Sequence, residues 1–300
     1  MLSMAWPAPS RISWLMPLAP TEDPGLLCTT LGCLKQQQLQ AHELVIAADG
    51  PLPEELKRVI GSSILPWRVI PQDHQRGIGA TLAHAGPLCR GEVIVRIDSD
   101  DLYAEEHTAN VVQALLGEER IGAVGCQLLE VDIEQGWRRS ARRTPIHPRE
   151  ARRWLPWRNP LNHQTVAIRK KALLEAGGYR HCPGFEDWDL WLRISKAGYS
   201  LCNLPTCTAA ARVNRSHRRR RRGLRYIQQE CGFYRQQIWG KRINPVLGSL
   251  ACLSRLPWRL LPAPVFQWWM QSDLRGSPPF DTAWVTQLSE QGARQPANWE

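Results

Sequence analysis

No C-x-x-C pair occurs among the nine cysteines, Cys28, Cys33, Cys89, Cys126, Cys182, Cys202, Cys207, Cys231 and Cys252. Their odd number and irregular spacing argue against both a zinc site and a disulfide framework and point to a reducing, cytoplasmic compartment. No stretch reaches about 18 uninterrupted apolar residues, so no membrane span is expected. The opening Met1–Pro7 also lacks the basic segment and apolar core of a signal peptide. Acidic residues are in deficit: 28 Asp and Glu against 38 Lys and Arg leave a formal charge of +10. That balance favours anionic partners, whether phosphorylated substrates, acidic lipid or nucleic acid, without choosing among them. No long internal repeat is present, and the one low-complexity segment is a run of arginines.

Three hundred residues with 43% hydrophobic and 22% charged content suit one large α/β unit. Strand-like runs at Ile12–Leu18, Glu43–Ala48, Trp67–Pro71 and Glu92–Ile97 alternate with segments of helical apolar spacing, such as Leu26, Leu27, Leu31 and Leu34. This βαβα order predicts a mainly parallel sheet with helices on both faces and ligands beyond the carboxyl ends of its strands. After a helix near Glu105–Leu116 the repeating order ends. Two or three strands are expected over Ala123–Arg142, then a strand over Asn162–Arg169, a helix over Lys170–Ala176 stopped by Gly177-Gly178, and a helix beginning near Gly184–Glu186.

The fourth strand runs into Asp98-Ser99-Asp100-Asp101, three carboxylates within four residues. Two like charges about 4 Å apart repel by roughly 4 kcal/mol at an effective dielectric near 20, so such a cluster calls for a cation. Read alone, it is equally a polar turn capping the helix that follows. A dehalogenase-type phosphatase fits less well, because that class needs Thr or Val shortly after its Asp-x-Asp pair, where this chain has Leu102-Tyr103. The second acidic motif, Glu186-Asp187-Trp188-Asp189, reads either as an acidic first helical turn, favoured by the macrodipole, or as a source of a catalytic base. Gly77-Ile78-Gly79 lacks the third glycine of a dinucleotide fingerprint, since Leu82 takes its place.

Taken in order, these motifs resemble the family 2 inverting glycosyltransferases of GT-A fold, and within them bacterial enzymes of exopolysaccharide and cell-surface glycan synthesis. The resemblance spans roughly residues 11–240 and rests on Ile12–Pro17, Ala48–Pro51, Gln75–Gly79, Ile97–Asp101, Asn162–Thr165, Gly177–Arg180 and Gly184–Trp191. It implies a metal-dependent transfer, with inversion, from a nucleoside-diphosphate sugar, a UDP-sugar above others, to a glycan or lipid-linked acceptor. Asp100 is then a ligand of Mg2+ or Mn2+, Asp98 a second ligand near the ribose, and Asp187 the base that deprotonates the acceptor, with Glu186 beside it. Pro17, Asp49 and Arg76 are implied near base and ribose, and His163 near acceptor or phosphate. Trp188 is offered as an apolar wall for a sugar ring. The chain departs from the family at Ala48, where a first acid is usual, and at Leu18-Ala19 after the first-strand proline.

Arg215–Arg222 is the most basic segment. Such runs are usually solvated. Its place after the acidic motifs also fits a lid over a diphosphate, with Arg212 and Arg218 as candidate ligands. Attraction to an anionic membrane surface is a third reading, supported by Trp258, Trp268 and Trp269. Nucleic-acid binding predicts aromatics interleaved with basic residues rather than carboxylates at strand ends, and is not expected. A nucleotidyltransferase of similar fold and an inactive nucleotide-sugar-binding relative remain as alternatives. The expected organisation is an N-terminal extension over 1–10, a catalytic unit over 11–240 and a helical Trp-, Pro- and Arg-rich extension over 241–300.

Overall fold

The computed structural model describes residues 11–132, 138–213, 223–260, 275–276, 283–286 and 288. Apolar runs become strands where the reading places them: β1 (Ile12–Leu18), β2 (Glu43–Ala48), β3 (Trp67–Ile70) and β4 (Val93–Arg96). Every residue of β1, β2 and β4 is buried, as near-continuous apolar strands covered on both faces should be. These four form a parallel sheet ordered β3-β2-β1-β4. Between them lie α1 (Pro24–Lys35), α2 (Glu54–Gly61) and α3 (Ile78–Ala85). Asp23 caps α1, its carboxylate accepting the N–H groups of Gly25 and Leu26.

Beyond β4 the sheet is less parallel than the βαβα order predicts. The short β5 (Leu102–Tyr103) precedes α4 (His107–Leu116), followed by β6 (Ile121–Asp132), β7 (Arg138–Arg142), α5 (Pro148–Trp154), a 3-10 turn over His163–Thr165, β8 (Ala167–Arg169), α6 (Lys170–Glu175) and α7 (Glu186–Lys196). Strand β8 pairs antiparallel with both β4 and β6, and β6 pairs antiparallel with β7. The long β9 (Ser200–Val213) runs parallel to β6 with register shifts and pairs antiparallel with β5. Antiparallel joins need no crossover helix, which is why the alternation stops here. Helices α8 (Leu224–Trp239) and α9 (Pro245–Leu260) follow, and β10 (Arg275–Gly276) edges β7.

Two cores sandwich the sheet. One joins Trp14, Met16 and Val95 to Leu27 and Leu31 of α1, Leu56 and Ile60 of α2, and Val111 and Leu115 of α4. The other joins Leu15, Val45 and Ile94 to Leu82 of α3, Leu173 of α6, Trp188 and Trp191 of α7, and Phe233 and Tyr234 of α8. A buried polar knot ties this second layer together. Asp189 accepts from Arg193 at 2.8 Å and from Gln237 of α8 at 2.8 Å, while Arg193 also donates to the carbonyls of Ala176 and Gly178. Charge pairing of Arg193 with Asp189, backed by these hydrogen bonds, makes the buried charges tolerable.

Candidate active site

The carboxyl ends of β1, β2 and β4 lie side by side, because the strands are adjacent and parallel. Asp49 follows β2, and its carboxylate accepts the backbone N–H of Arg76 at 2.8 Å, that of Gly77 at 3.0 Å and the Thr81 hydroxyl at 2.9 Å. It therefore anchors the loop and the first turn of α3. The tight Asp49-Gly50 turn needs a glycine, since Gly50 sits at φ 106° with Gln75 against it. Arg76 is held at the mouth by that anchor, its guanidinium on the His74 ring.

The Asp98–Asp101 turn follows β4. Tyr103 clamps it, accepting the Asp98 N–H at 2.8 Å and donating to the Gln164 carbonyl at 3.2 Å. Thr30 of α1 donates to the Asp101 carbonyl at 2.8 Å. Strand β9 brings Arg212 alongside. Its N–H donates to the Asp101 carboxylate at 3.3 Å and its guanidinium to the Asp100 carbonyl at 2.6 Å. Glu22, just beyond β1, completes the acidic rim by accepting from the Ser99 hydroxyl at 2.6 Å. No side chain caps α4, so the helix-capping reading of this turn has no counterpart in the structure.

Burial, then the charges of Asp98 and Glu22, push the Asp100 carboxyl up to about 7. Burial and the charges of Asp100 and Asp98 likewise raise Asp101 well above the usual carboxylate range. Its Oδ2 has no partner among the described residues. A bound cation would relieve this repulsion, and oxygens of this kind are the ligands a hard divalent ion takes. Among the described residues no group of three or more His, Cys, Asp or Glu is arranged to hold a metal ion by itself.

The second acidic motif opens α7. Asp187 is half-buried, and its carboxylate accepts from the Asn159 amide at 2.5 Å and from the Trp188 N–H at 2.7 Å. Glu186 is buried, with Oε2 unpartnered among the described residues. Burial and the charge of Asp187 raise it to about 7. Gly79 on α3 lies against this helix start. A Cβ there would stand 2.8 Å from the Arg180 carbonyl and 3.0 Å from the Glu186 Cβ. The Asp49 anchor on α3 therefore extends mechanically to Glu186.

Arg96, which the sequence reading passed over, links the two motifs. It is the single charge in an otherwise apolar strand and is 1% exposed. Its Nη2 donates to the Asp98 carboxylate at 2.6 Å, and its charge also favours the ionised form of Glu186. A lone charged residue in a buried run was the signal that could have found it. Glu22 carried no comparable signal, because only the β1–β4 adjacency brings it to Ser99.

Three expected contacts are corrected. Trp188 does not wall a sugar site: it is 3% exposed, packs on Phe185, Phe233 and Tyr234, and donates its indole N–H to the Leu155 carbonyl at 2.8 Å. An amphipathic helix start buries its tryptophans when a second helix layer covers them, as α8 does here. Pro17 is buried inside β1, so the first residues past that strand with exposed surface are Ala19 and Pro20. His163 is buried with its Nε2 2.9 Å from the Tyr179 hydroxyl, and burial together with Arg96 keeps it neutral. The whole arginine run Arg215–Arg222, Arg218 included, lies outside the described residues, as do Trp268 and Trp269.

A carboxylate turn at the carboxyl end of a central strand and an acidic helix start, carried on a mixed sheet with helices on both faces, are the features of a GT-A-type transferase. Residues 22–178 match Glycosyl transferase family 2. The chain is 32% identical over 266 residues to the amylovoran biosynthesis glycosyltransferase AmsE of Erwinia amylovora, covering 88% of this chain and 99% of that one. It is 24% identical over 231 residues to the UDP-Gal:alpha-D-GlcNAc-diphosphoundecaprenol beta-1,3-galactosyltransferase of Escherichia coli, over 75% and 84% of the two chains. Among solved structures, the mannosyltransferase PcManGT of Pyrobaculum calidifontis in complex with GDP-Man and Mn2+ shares the fold. It aligns at a TM-score of 0.58 and 19% identity over 94% of this chain and 79% of that one. The chain belongs to glycosyltransferase family 2 and is a glycosyltransferase.

Proposed function

We propose that this enzyme transfers a sugar, with inversion, from a nucleoside-diphosphate sugar to a hydroxyl of a glycan or lipid-linked acceptor. The observation that carries this reading is the buried guanidinium of Arg96, which binds the Asp98 carboxylate and whose charge also favours the ionised form of Glu186, and this supports a single site shared by the carboxylate turn and the Asp187 helix start. Asp187 is the base. Its carboxylate, oriented by Asn159, removes the acceptor proton as the oxygen attacks the anomeric carbon and the bond to the diphosphate breaks on the opposite face. A carboxylate suffices because the hydroxyl becomes acidic only as the new bond forms.

Asp100, with Asp98, is the natural holder of Mg2+ or Mn2+ at the diphosphate. The ion would stabilise charge developing on the nucleoside-diphosphate leaving group. Arg212 holds the turn from behind through the Asp100 carbonyl. Asp49 and Arg76 shape the nucleotide mouth, with Asp49 acting through the loop it anchors. A UDP-sugar donor is supported by the name of the Escherichia coli relative, and the PcManGT complex holds GDP-Man, so both bases merit testing. That same relative's name carries a diphosphoundecaprenol acceptor, which supports a lipid-linked acceptor and work at the cytoplasmic face of a membrane. No helix among the described residues is long and apolar enough to cross one. Residues 11–240 as the catalytic unit, with a helical extension from 241, belong to the same proposal.

Titration calorimetry of UDP and GDP, each with and without Mn2+, tests the donor site on wild type and on Asp100→Ala. Metal-dependent binding of one nucleotide, lost in the variant, is expected. Binding that ignores both the metal and the substitution would overturn the assignment.

A further inference from the structure

Helix α9 buries Gly248, Ala251 and Arg259 on one side. Gly248 lets Ile238 of α8 approach closely, and Arg255 and Arg259 bind Glu230 of α8. Its other side carries Val246, Leu250, Leu253, Pro257 and Leu260, spaced by alternating steps of four and three, which is one stripe of a helix. That stripe is open: Val246 is 70% exposed, Leu250 54%, Leu253 62% and Leu260 62%. Trp239, 77% exposed, stands at the α8–α9 corner, and Trp258 is exposed at the far end. Of the fourteen large exposed hydrophobics among the described residues, six fall within residues 239–260, whereas those outside α8 and α9 are scattered. Contiguous exposed apolar surface of this kind marks an interaction site, while scattered residues do not.

The charge around the stripe is of one sign. From Cys231 to Leu260 there is no acid; Arg255 and Arg259 are taken up by Glu230, which leaves Arg235, Lys241 and Arg242. Arg235 and Lys241 are exposed beside Trp239, and the Arg235 guanidinium lies 5.4 Å from the Trp239 ring centre. A groove of about 370 Å3 between the two helices, lined by Tyr234, Ile238, Trp239, Cys252 and Leu253 among others, adjoins the stripe. Apolar residues flanked by cations, with tryptophans at the margins, match the boundary between acyl chains and anionic headgroups. A second copy of the same face would meet it with like charge, which disfavours self-association.

We propose that the α8–α9 hairpin is a bilayer-docking face that seats Val246, Leu250, Leu253 and Leu260 in an anionic membrane interface, with Trp239, Arg235 and Lys241 at headgroup level. This holds the enzyme at the membrane with no spanning helix needed among the described residues. It goes beyond the donor-site reading and does not rest on it, because binding to lipid requires no turnover.

The test is cosedimentation of the full chain with phosphatidylcholine vesicles, with and without about one third phosphatidylglycerol. Wild type and the double variant Leu250→Gln/Leu253→Gln are compared. Both positions are exposed, so the fold should tolerate them. The expected result is binding to the anionic vesicles, about tenfold or more weaker in the variant and weakened by salt. No binding of wild type, or equal binding of both proteins, overturns the proposal. Equal binding would assign the lipid affinity to basic segments elsewhere. Analytical ultracentrifugation and thermal unfolding of the same pair separate the other occupants. A dimer lost in the variant, with vesicle binding unchanged, makes the face a self-association surface. A lower Tm with vesicle binding unchanged gives it to the chain's own C-terminal segment.

Discussion

Asp100→Asn should make the metal-free protein more stable at alkaline pH while removing its response to metal. The carboxyl of Asp100 rises from its ordinary 3.8 to about 7, first through burial and then through Asp98 and Glu22. The folded chain therefore holds this proton more tightly than the unfolded chain does. The corresponding stability is fully present below about pH 4 and is lost as pH rises through about 7. At about 1.4 kcal/mol per tenfold in proton affinity, the whole effect is about 4 kcal/mol. Relaxation of the neighbouring carboxylates and partial contact with water reduce it to about 2–4 kcal/mol. Asparagine keeps the shape and never ionises. In EDTA, thermal unfolding should show the variant level with wild type near pH 4 and several degrees higher at pH 8. Adding Mn2+ at pH 8 should raise the Tm of wild type alone. A variant destabilised equally at both pH values, or one still stabilised by Mn2+, would refute the account of Asp100 as a strained carboxylate awaiting a cation.

Asp187→Asn should leave nucleotide affinity intact and lower transfer by about 10²–10⁴, measured as nucleoside diphosphate released, because it removes the base while keeping its outline. It should also cost about 1–3 kcal/mol, since one of the two donors now on that carboxylate, the Asn159 amide or the Trp188 N–H, loses its acceptor. Gly79→Ala should lower Tm by an amount equivalent to about 1–3 kcal/mol and depress transfer, because the added methyl meets the Arg180 carbonyl and Glu186; a silent substitution would break the mechanical link from α3 to α7. Glu230→Gln should cost about 3–5 kcal/mol in chemical denaturation by leaving Arg255 and Arg259 without their counter-charge, and vesicle binding should weaken as the hairpin loosens.

Much of this protein was legible in its sequence because the information was local. Four apolar runs separated by helical spacing fix the parallel half of the sheet, since a buried strand has no polar face to show. The two acidic motifs stand where a strand ends and a helix begins, positions that sequence alone can read from Val93–Asp101 and Gly184–Trp191. The antiparallel half, the direction faced by Trp188 and the neighbours of Asp100 were not local. Trp188 has the same helical spacing whether solvent or α8 covers it, and only the position of Phe233 and Tyr234 decides. Glu22 and Ser99 are 77 residues apart and meet because β1 and β4 are neighbours. Arg96 reads as an interruption of a strand until its guanidinium is found on the Asp98 carboxylate, with its charge also favouring the ionised form of Glu186. The sequence by itself thus determined which residues could carry the chemistry, through periodicity and residue type. Tertiary structure decided which of them meet, because burial and the charge of distant neighbours set the state of each carboxylate.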